Sequence, residues 1–370
     1  MLIGSDVTIA SDTNNAVYSN VANSVLANGG NVIAPEGNGI YFDTAASDSS
    51  ITNRVGAFIS GPFGLFMAGS GNQIFTNFGS VIATAGGAVG FGSAAHVALS
   101  NHGYIGSPAF GIDDESLASD GTINNFHVIE GGGPLGVGIY LKTSHSSITL
   151  INNSSKATIT ASVDAIKVDA GCFTLHNSGR IIGDIVDNGP TGVRDVIINH
   201  GKILGSVDLG GGNDLFNGTG GKSGAIFGGD GNDRIIGGKG NDQILGGTGN
   251  NKLTGGPGAD QFFFDTPATN VNTITDFKPA QHDKIVLSAT YFNGLTSSGG
   301  TLDASNFHIG ATALTPSQHI LYTPGNGFLY YDLDGSGQVS GAAHFATIAN
   351  HLALQLAHIH LTSADFLVEA

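Results

Sequence analysis

The sequence is poor in charge, and this shortage already excludes one class of protein. Of its 370 residues only 11% are charged, against roughly 25% in an average protein. The chain has 13 Lys and Arg but 29 Asp and Glu, which gives a formal net charge of −16. Nucleic-acid binding needs clustered basic side chains that neutralise phosphates, so we expect no nucleic-acid partner.

Cysteine and long apolar runs are also scarce. The single cysteine, Cys172, excludes an intramolecular disulfide. No run reaches the roughly 18 apolar residues of a membrane-spanning helix, because the best candidate, residues 56–69, is broken by Gly and Pro. The first basic residue is Arg54, so the beginning of the chain lacks the positive region of an export signal. We therefore expect no transmembrane segment and, if the protein is exported, a route without an N-terminal signal.

Glycine is abundant, at 59 residues, and 40% of the chain is apolar. This apolar content is too high for a disordered acidic chain, and the glycines do not follow the three-residue period of collagen. Helix-forming residues are few, whereas Gly, Asn, Ser, Thr, Ile and Val are frequent. The composition therefore predicts an all-β protein of many short strands.

A unit of the form apolar-x-Asn-x-Gly-x-apolar recurs through the first two hundred residues. Its asparagines follow one another at intervals of 22 to 28 residues: Asn28, Asn53, Asn77, Asn101, Asn125, Asn153, Asn177 and Asn199. About three short strands in each period of about 24 residues indicate the coils of a β-helix. We predict a parallel, right-handed β-helix of about eight coils over residues 1–208, with the asparagines stacked in a side-chain ladder.

One coil is longer than the others. Asn125 and Asn153 are 28 residues apart, and the interval contains the glycine-rich segment Gly131–Pro134. We expect this extra loop to bulge from the β-helix.

At Leu209 the period changes to nine residues. Successive units follow the pattern G-G-x-G-x-D-x-U-x of the calcium nonapeptide, and they begin at Gly228, Gly237, Gly246 and Gly255. The glycines allow tight turns that aim carbonyl oxygens at an ion, and Asp supplies the hard anionic oxygen that Ca²⁺ prefers. The aliphatic residue two positions later faces the core. These units predict a calcium-binding parallel β-roll over residues 209–263.

The ligand pairs follow from the geometry of such a roll, in which turns on one side are 18 residues apart. Asp242 and Asp260 form the best pair, and Asp214 with Asp233 is the next. Asp233 with Asn251 is weaker, because an amide replaces one carboxylate. The glycines expected to contribute to these sites are Gly212, Gly229, Gly231, Gly238, Gly240, Gly247 and Gly249. The pattern predicts two to four Ca²⁺ ions.

These motifs resemble two known families. The asparagine repeats are similar to the N-x-G-x-I-x-G repeats of autotransporter passengers and filamentous-haemagglutinin-like adhesins, which implies a fold rather than a function. The nonapeptides resemble those of repeat-in-toxin (RTX) proteins, and the resemblance continues through residues 273–288, 330–337 and 361–368. It implies that residues 264–370 form a C-terminal β-rich cap with an uncleaved type I secretion signal. It also implies that the roll folds outside the cell, where calcium is plentiful.

The first functional hypothesis is a secreted, extracellular structural or adhesive protein that binds calcium and has no catalytic residues. A cell surface or a polysaccharide is the expected partner. End-to-end self-association into filaments or a surface layer is part of this hypothesis, because the strand Val7–Ile9 presents an edge without an evident cap.

The alternative is a polysaccharide lyase or epimerase that acts on acidic polysaccharide through the β-helix. Such chemistry needs a base and a cation that neutralises the uronate carboxylate. Candidates on adjacent coils are Tyr140, Lys142 and Lys167, with His145 and Arg180 nearby. The regular coils and the few cations speak against this alternative.

Overall fold

The computed structural model describes residues 1–92, 96–115, 120–143, 148–189, 192–265, 270–335, 341–357 and 360–369. Within these residues the regular structure is almost entirely β-strand, which confirms the all-β prediction. The one α-helix in this part of the chain, α1 (His351–Leu356), has six residues. The chain divides into two compact units, residues 1–208 and residues 209–370.

Three columns of parallel strands build the first unit, and each coil contributes one strand segment to each column. Strands are numbered in chain order. The first column consists of β1 (Leu2–Ile3), β4 (Val25–Asn28), β7 (Ser49–Asn53), β10 (Asn72–Asn77), β13 (His96–Asn101), β16 (Asp120–Asn125), β19 (Ile148–Asn153), β21 (Cys172–Asn177) and β23 (Val196–Asn199).

The second column consists of β2 (Thr8–Ala10), β5 (Asn31–Ile33), β8 (Phe58–Gly61), β11 (Ser80–Ala83), β14 (Tyr104–Ser107), β17 (Val128–Gly131) and β24 (Lys202–Ile203). The third consists of β3 (Val17–Ser19), β6 (Ile40–Phe42), β9 (Leu65–Met67), β12 (Val89–Phe91), β15 (Phe110–Asp114), β18 (Val137–Lys142) and β25 (Val207–Asp208). Two long strands, β20 (Thr158–Ala170) and β22 (Arg180–Asp187), pass through both columns.

The asparagines end the first-column strands and form the predicted ladder inside the unit. Nδ2 of each donates to Oδ1 of the next at 2.8–3.0 Å, from Asn28 to Asn199. Each of them is at most 1% exposed. One coil precedes the ladder, because Ile3 of β1 pairs with Asn28 and occupies the asparagine position. The asparagine pattern therefore indicated eight coils where nine first-column strands are described.

In the second unit, parallel strands alternate between two sides of a roll. One side consists of β26 (Leu215–Asn217), β28 (Arg234–Ile236), β30 (Lys252–Thr254) and β32 (Asn272–Ile274). The other consists of β27 (Ile226–Phe227), β29 (Gln243–Leu245), β31 (Gln261–Phe264) and β33 (Lys284–Ser288). One apolar residue of every turn points inward and is fully buried, including Ile235, Ile244, Leu253 and Phe262.

The C-terminal segment belongs to the same compact unit as the roll. It contains β34 (Ser297–Ser298), β35 (Thr301–Leu302), β36 (Phe307–Ile309), β37 (Ile320–Thr323), β38 (Phe328–Tyr331), β39 (Ala343–Ile348) and β40 (Phe366–Glu369). Short 3-10 turns lie at Pro279–Gln281, Ala304–Asn306 and Ser363–Asp365. Strand β39 pairs in parallel with β32, and β40 pairs in parallel with β33. The end of the segment thus continues both sides of the roll.

Candidate calcium-binding turns

The turns of the roll stack so closely that glycine is required at several positions. Gly231 and Gly249 have φ of +126° and +94°, a left-handed conformation that disfavours other residues. A side chain on Gly231 would clash with the carbonyl oxygen of Gly212, and one on Gly249 would clash with that of Gly231. The carbonyl oxygens of Gly212 and Gly231 therefore each lie against the glycine of the next turn, and backbone carbonyl oxygens are ligands that calcium accepts.

On one side of the roll the predicted ligands lie in consecutive turns. The backbone N–H of Asp214 donates to Oδ1 of Asp233 at 2.9 Å, and the N–H of Asp233 donates to Oδ1 of Asn251 at 2.7 Å. The series extends one turn beyond the nonapeptides, because the N–H of Asn251 donates to Oδ1 of Asn272 at 3.1 Å. The structure thus brings together Asp214, Asp233 and Asn251, and it adds Asn272.

On the other side the same contact joins Asp242 to Asp260, whose Oδ1 accepts the Asp242 N–H at 3.0 Å. The next turn contributes Asp283, whose Oδ1 accepts the Asp260 N–H at 3.0 Å. Oδ2 of Asp283 accepts the N–H of Lys278 at 2.7 Å. Asp283 was not among the predicted ligands, although its position two residues before the buried Ile285 repeats the Asp-x-apolar pattern.

Two of these carboxylates carry oxygens without a hydrogen-bond donor. Asp233 is 2% exposed and Asp260 is fully buried, and Oδ2 of each has no hydrogen-bond partner in the described part of the chain. Each oxygen lies against the first glycine of its own turn, where a side chain on Gly228 would begin 2.6 Å from Oδ2 of Asp233. A buried, unpaired carboxylate oxygen is destabilising, and a bound cation removes that penalty. The residues present therefore fit Ca²⁺.

Protonation states agree with this interpretation. Burial raises the pKa of Asp233, Asp242 and Asp283 to about 6, and burial also raises the pKa of Asp260. A nearby divalent cation has the opposite effect, because it favours the ionised carboxylate. Near neutral pH, above a pKa of about 6, Asp233, Asp242 and Asp283 are ionised although they are buried, and a cation stabilises that state.

Side chains alone do not supply a complete coordination shell. In the part of the chain that the structure describes, no group of three or more His, Cys, Asp or Glu side chains is placed to hold a metal ion. Ca²⁺ takes six to eight oxygens, so a site in these turns needs backbone carbonyls beside one or two carboxylates. Glycine carbonyls in the turns can supply them, which explains why Asp and Gly recur together.

Comparison with known proteins agrees with this geometry. Residues 226–262 match the family model described as the RTX calcium-binding nonapeptide repeat (4 copies). No curated protein and no solved structure matches the chain. Fold and turns together define a calcium-binding β-solenoid. More particularly, residues 226–262 carry RTX calcium-binding nonapeptide repeats within this solenoid, and both features fit the predicted resemblance to an RTX protein with a β-helix region.

The residues proposed for lyase or epimerase chemistry do not form a favourable base. Tyr140 on β18 pairs in register with Lys167 on β20. The Tyr140 hydroxyl donates to Oδ2 of Asp169 at 2.8 Å, and Nζ of Lys167 lies 3.6 Å from Oδ1 of Asp169. Burial, followed by the hydrogen bond to Asp169, raises the pKa of Tyr140, so the phenol keeps its proton. Asp169 also offsets the Lys167 charge that a uronate would need.

Of the other candidates, Lys142 lies two residues after Tyr140 and pairs with Ala170, the residue after Asp169. Lys142 ends β18, whereas Arg180 begins β22 in the second column. His145 lies outside the described residues. The matched family model describes calcium-binding repeats and names no catalytic activity.

Proposed function

We propose that this protein is a secreted, extracellular structural or adhesive protein whose roll folds on binding two to four Ca²⁺ ions. The observation that carries the proposal is the pair of buried oxygens, Oδ2 of Asp233 and Oδ2 of Asp260, that have no hydrogen-bond donor among the described residues. The proposed side-chain ligands are Asp214, Asp233 and Asn251 on one side of the roll, with Asp242 and Asp260 on the other. Glycine carbonyls complete each site.

Calcium binding and folding form one equilibrium in this proposal. Without the ion, closing the roll buries several carboxylates whose desolvation opposes folding. With the ion, each site at a hundredfold excess over its Kd stabilises the folded state by about 2.7 kcal/mol. Calcium is scarce in the cytosol and plentiful outside, so the ion would favour folding after export.

Calorimetric titration of the chelator-treated chain with Ca²⁺, with a thermal melt at each point, tests the proposal. We expect two to four bound ions and a large upward shift of the roll's melting temperature. Mg²⁺ is the matched control, because it demands a smaller octahedral site and should stabilise far less. A melting temperature that does not respond to calcium or chelator would contradict the assignment of the ligands.

The localisation is tested separately. No helix in the described ranges is long and apolar enough to cross a membrane. Co-expression with a type I export apparatus should deliver the full chain to the medium, and a variant without residues 360–370 should remain inside the cell. Export of both forms to the same extent would contradict a C-terminal signal.

End-to-end self-association stays a prediction. Exposed strand edges pair with other strands unless they are covered. Electron microscopy of the calcium-loaded chain at high concentration should show filaments or layers, and a field of dispersed monomers would count against assembly.

A further inference from the structure

A cleft of about 290 Å³ lies on the second strand column of the first unit. It lies over β11, β14 and β17, beside the glycine-rich loop of the longest coil. Its lining residues are Ile82, Ala83, Tyr104, Gly106, Ser107, Pro108, Glu130 and Gly132. None of these residues belongs to the calcium turns, and the asparagine ladder meets the cleft residues through the backbone of Tyr104, whose carbonyl accepts from Nδ2 of Asn77 at 3.2 Å.

The floor of the cleft is an aromatic ring laid along a strand. Tyr104 is the first residue of β14, and a side chain on Gly106, two residues later, would clash with the hydroxyl end of its ring. Gly106 pairs with Ile82 on one neighbouring strand and with Glu130 on the other. Because Gly106 has no side chain, the half-buried ring of Tyr104 fills the gap between these two residues and covers the strand.

A carboxylate fixes this ring and borders the cleft. The Tyr104 hydroxyl donates to Oε2 of Glu130 at 2.8 Å. Oε1 of Glu130 lies toward the loop, 3.3 Å from where a side chain on Gly132 would begin. Burial, followed by the bond to Glu130, raises the pKa of Tyr104 to about 12, so the phenol stays a neutral donor. The carboxylate keeps acceptor capacity for a ligand.

The wall of the cleft is held in place by backbone hydrogen bonds. The loop that the sequence predicts to bulge is bound to the preceding coil, where the N–H of Gly132 donates to the Ser107 carbonyl at 2.7 Å. The N–H of Gly133 donates to the Pro108 carbonyl at 2.8 Å. The contact requires glycine, because a side chain on Gly133 would clash with that carbonyl oxygen. The cleft is therefore formed in advance of any ligand, which lowers the ordering penalty of binding.

This combination of groups matches the chemistry of a sugar ring. The C–H face of a pyranose packs on an aromatic ring, and its hydroxyls donate to a carboxylate and to backbone carbonyls. None of the eight lining residues is basic, so a uronate carboxylate would find no counter-charge there and would face Glu130 instead. The cleft therefore favours a neutral sugar over an acidic one.

We propose that this cleft is a binding subsite for a neutral pyranose unit of a polysaccharide, with Tyr104 as the stacking platform and Glu130 as the hydroxyl acceptor. The proposal rests on the adhesive function proposed above and specifies its ligand class. It also opposes the lyase alternative, which requires an acidic polymer.

Saturation-transfer NMR on the calcium-loaded full chain tests the site. The probes are cellohexaose, maltohexaose and mannohexaose, with the hexamer of galacturonic acid as the acidic comparator. We expect at least one neutral hexamer to bind and the acidic hexamer not to bind. Tyr104→Ala should weaken binding about tenfold, which corresponds to about 1.4 kcal/mol. Tyr104→Phe should weaken it less, because the platform remains while the bond to Glu130 is lost.

Tyr41→Ala is the matched control, since Tyr41 also faces outward but stacks with Tyr18 and Phe66 on the third column. It should leave sugar binding unchanged. The proposal is overturned if no neutral hexamer binds, if the acidic hexamer binds equally well, or if Tyr41→Ala and Tyr104→Ala weaken binding alike. Calcium-dependent melting of the same samples reports on the proposed function independently, so failure of the sugar site leaves that result intact.

Discussion

Both units stack polar side chains in register, but only in the first unit do the stacked side chains supply each other's hydrogen-bond partners. In the first unit, Nδ2 of Asn77 donates to Oδ1 of Asn101 at 2.9 Å, and Nδ2 of Asn101 donates to Oδ1 of Asn125 at 3.0 Å. An amide is both donor and acceptor, so a column of amides pairs with itself. In the roll, a carboxylate only accepts. Backbone N–H groups satisfy one oxygen of Asp233 and of Asp260, and the other has no donor among the described residues.

The difference shows how the stability of a solenoid can come to depend on a bound ion. Replacing the amide of a stacked turn by a carboxylate removes the donor and adds a negative charge, which leaves one oxygen of Asp233 and one of Asp260 without a donor among the described residues. Asn251 illustrates the step within the roll, because its Oδ1 accepts the Asp233 N–H as a carboxylate would. Its Nδ2 lies near the carbonyls of Gly247 and Thr248, at 3.4 Å from each.

Removing calcium should have the largest effect and should separate the two units. Hydrogen exchange followed by mass spectrometry, with calcium and with chelator, resolves this by segment. Amides of β28 to β31 should exchange at least about 100-fold faster in chelator, since each lost site removes about 2.7 kcal/mol. Amides of β10, β13 and β16 should change little. Equal acceleration in both units would show that the first unit also depends on the ion.

Breaking the ladder should have the next largest effect and should be independent of calcium. Asn101 makes four side-chain hydrogen bonds, to Asn77, Gly103, Asn125 and Val128. Asn101→Leu removes all four of these buried hydrogen bonds and interrupts the ladder, so we expect the first unit to lose about 3 kcal/mol of unfolding free energy.

The matched control is Ser100→Leu, one residue earlier on the same strand, where the side chain faces outward. It should change the unfolding free energy by less than about 0.5 kcal/mol. Urea unfolding in calcium and in chelator provides both values. A loss for Asn101→Leu that appears only in chelator would contradict a self-sufficient ladder.

The sequence predicts most of both stacks of side chains, because each stack follows a regular repeat. A spacing of 18 or 19 residues was enough to pair Asp214 with Asp233 and Asp242 with Asp260. Asn272 and Asp283 continue the same stacks, but they lie 21 and 23 residues after their partners, so insertions hide them from a nine-residue pattern.

Other features depend on contacts that the repeat does not encode. The first coil has Ile3 in place of asparagine, so the pattern begins one coil late. The cleft joins Tyr104 to Glu130 across adjacent coils, and its position depends on a missing side chain at Gly106. No short sequence motif predicts that arrangement.

Asp260→Asn should raise the unfolding free energy in chelator and lower it in calcium. In chelator the amide removes a buried negative charge and supplies donors, so we expect a gain of about 1 kcal/mol in unfolding free energy. In calcium it removes a ligand, so we expect a loss of about 2 kcal/mol. Asp230→Asn is the control, because Asp230 is exposed and its Oδ1 accepts from Thr248 at 2.8 Å. A loss in both conditions would indicate a structural rather than a ligand role for Asp260.

Acidity should change the stability of the roll in opposite directions with and without calcium. Without calcium, folding raises the pKa of Asp233, Asp242 and Asp283 from 3.8 to about 6. The folded roll then binds more protons than the unfolded chain between pH 4 and 6, so its stability falls as pH rises through that window and levels off above about pH 6. With calcium, protons compete with the ion, so stability should instead rise with pH over the same window.

The first unit provides an internal reference for this pH dependence. Burial, followed by the charges of Glu115 and Asp114, raises the pKa of Asp113 to about 6. Its contribution also falls as pH rises through 4 to 6, but no calcium ligand is proposed near it. Melting temperatures between pH 4 and 8 should therefore give one curve for the first unit and two diverging curves for the roll. Parallel roll curves would mean that these carboxylates do not meet the ion, whereas divergence in both units would place calcium in the β-helix as well.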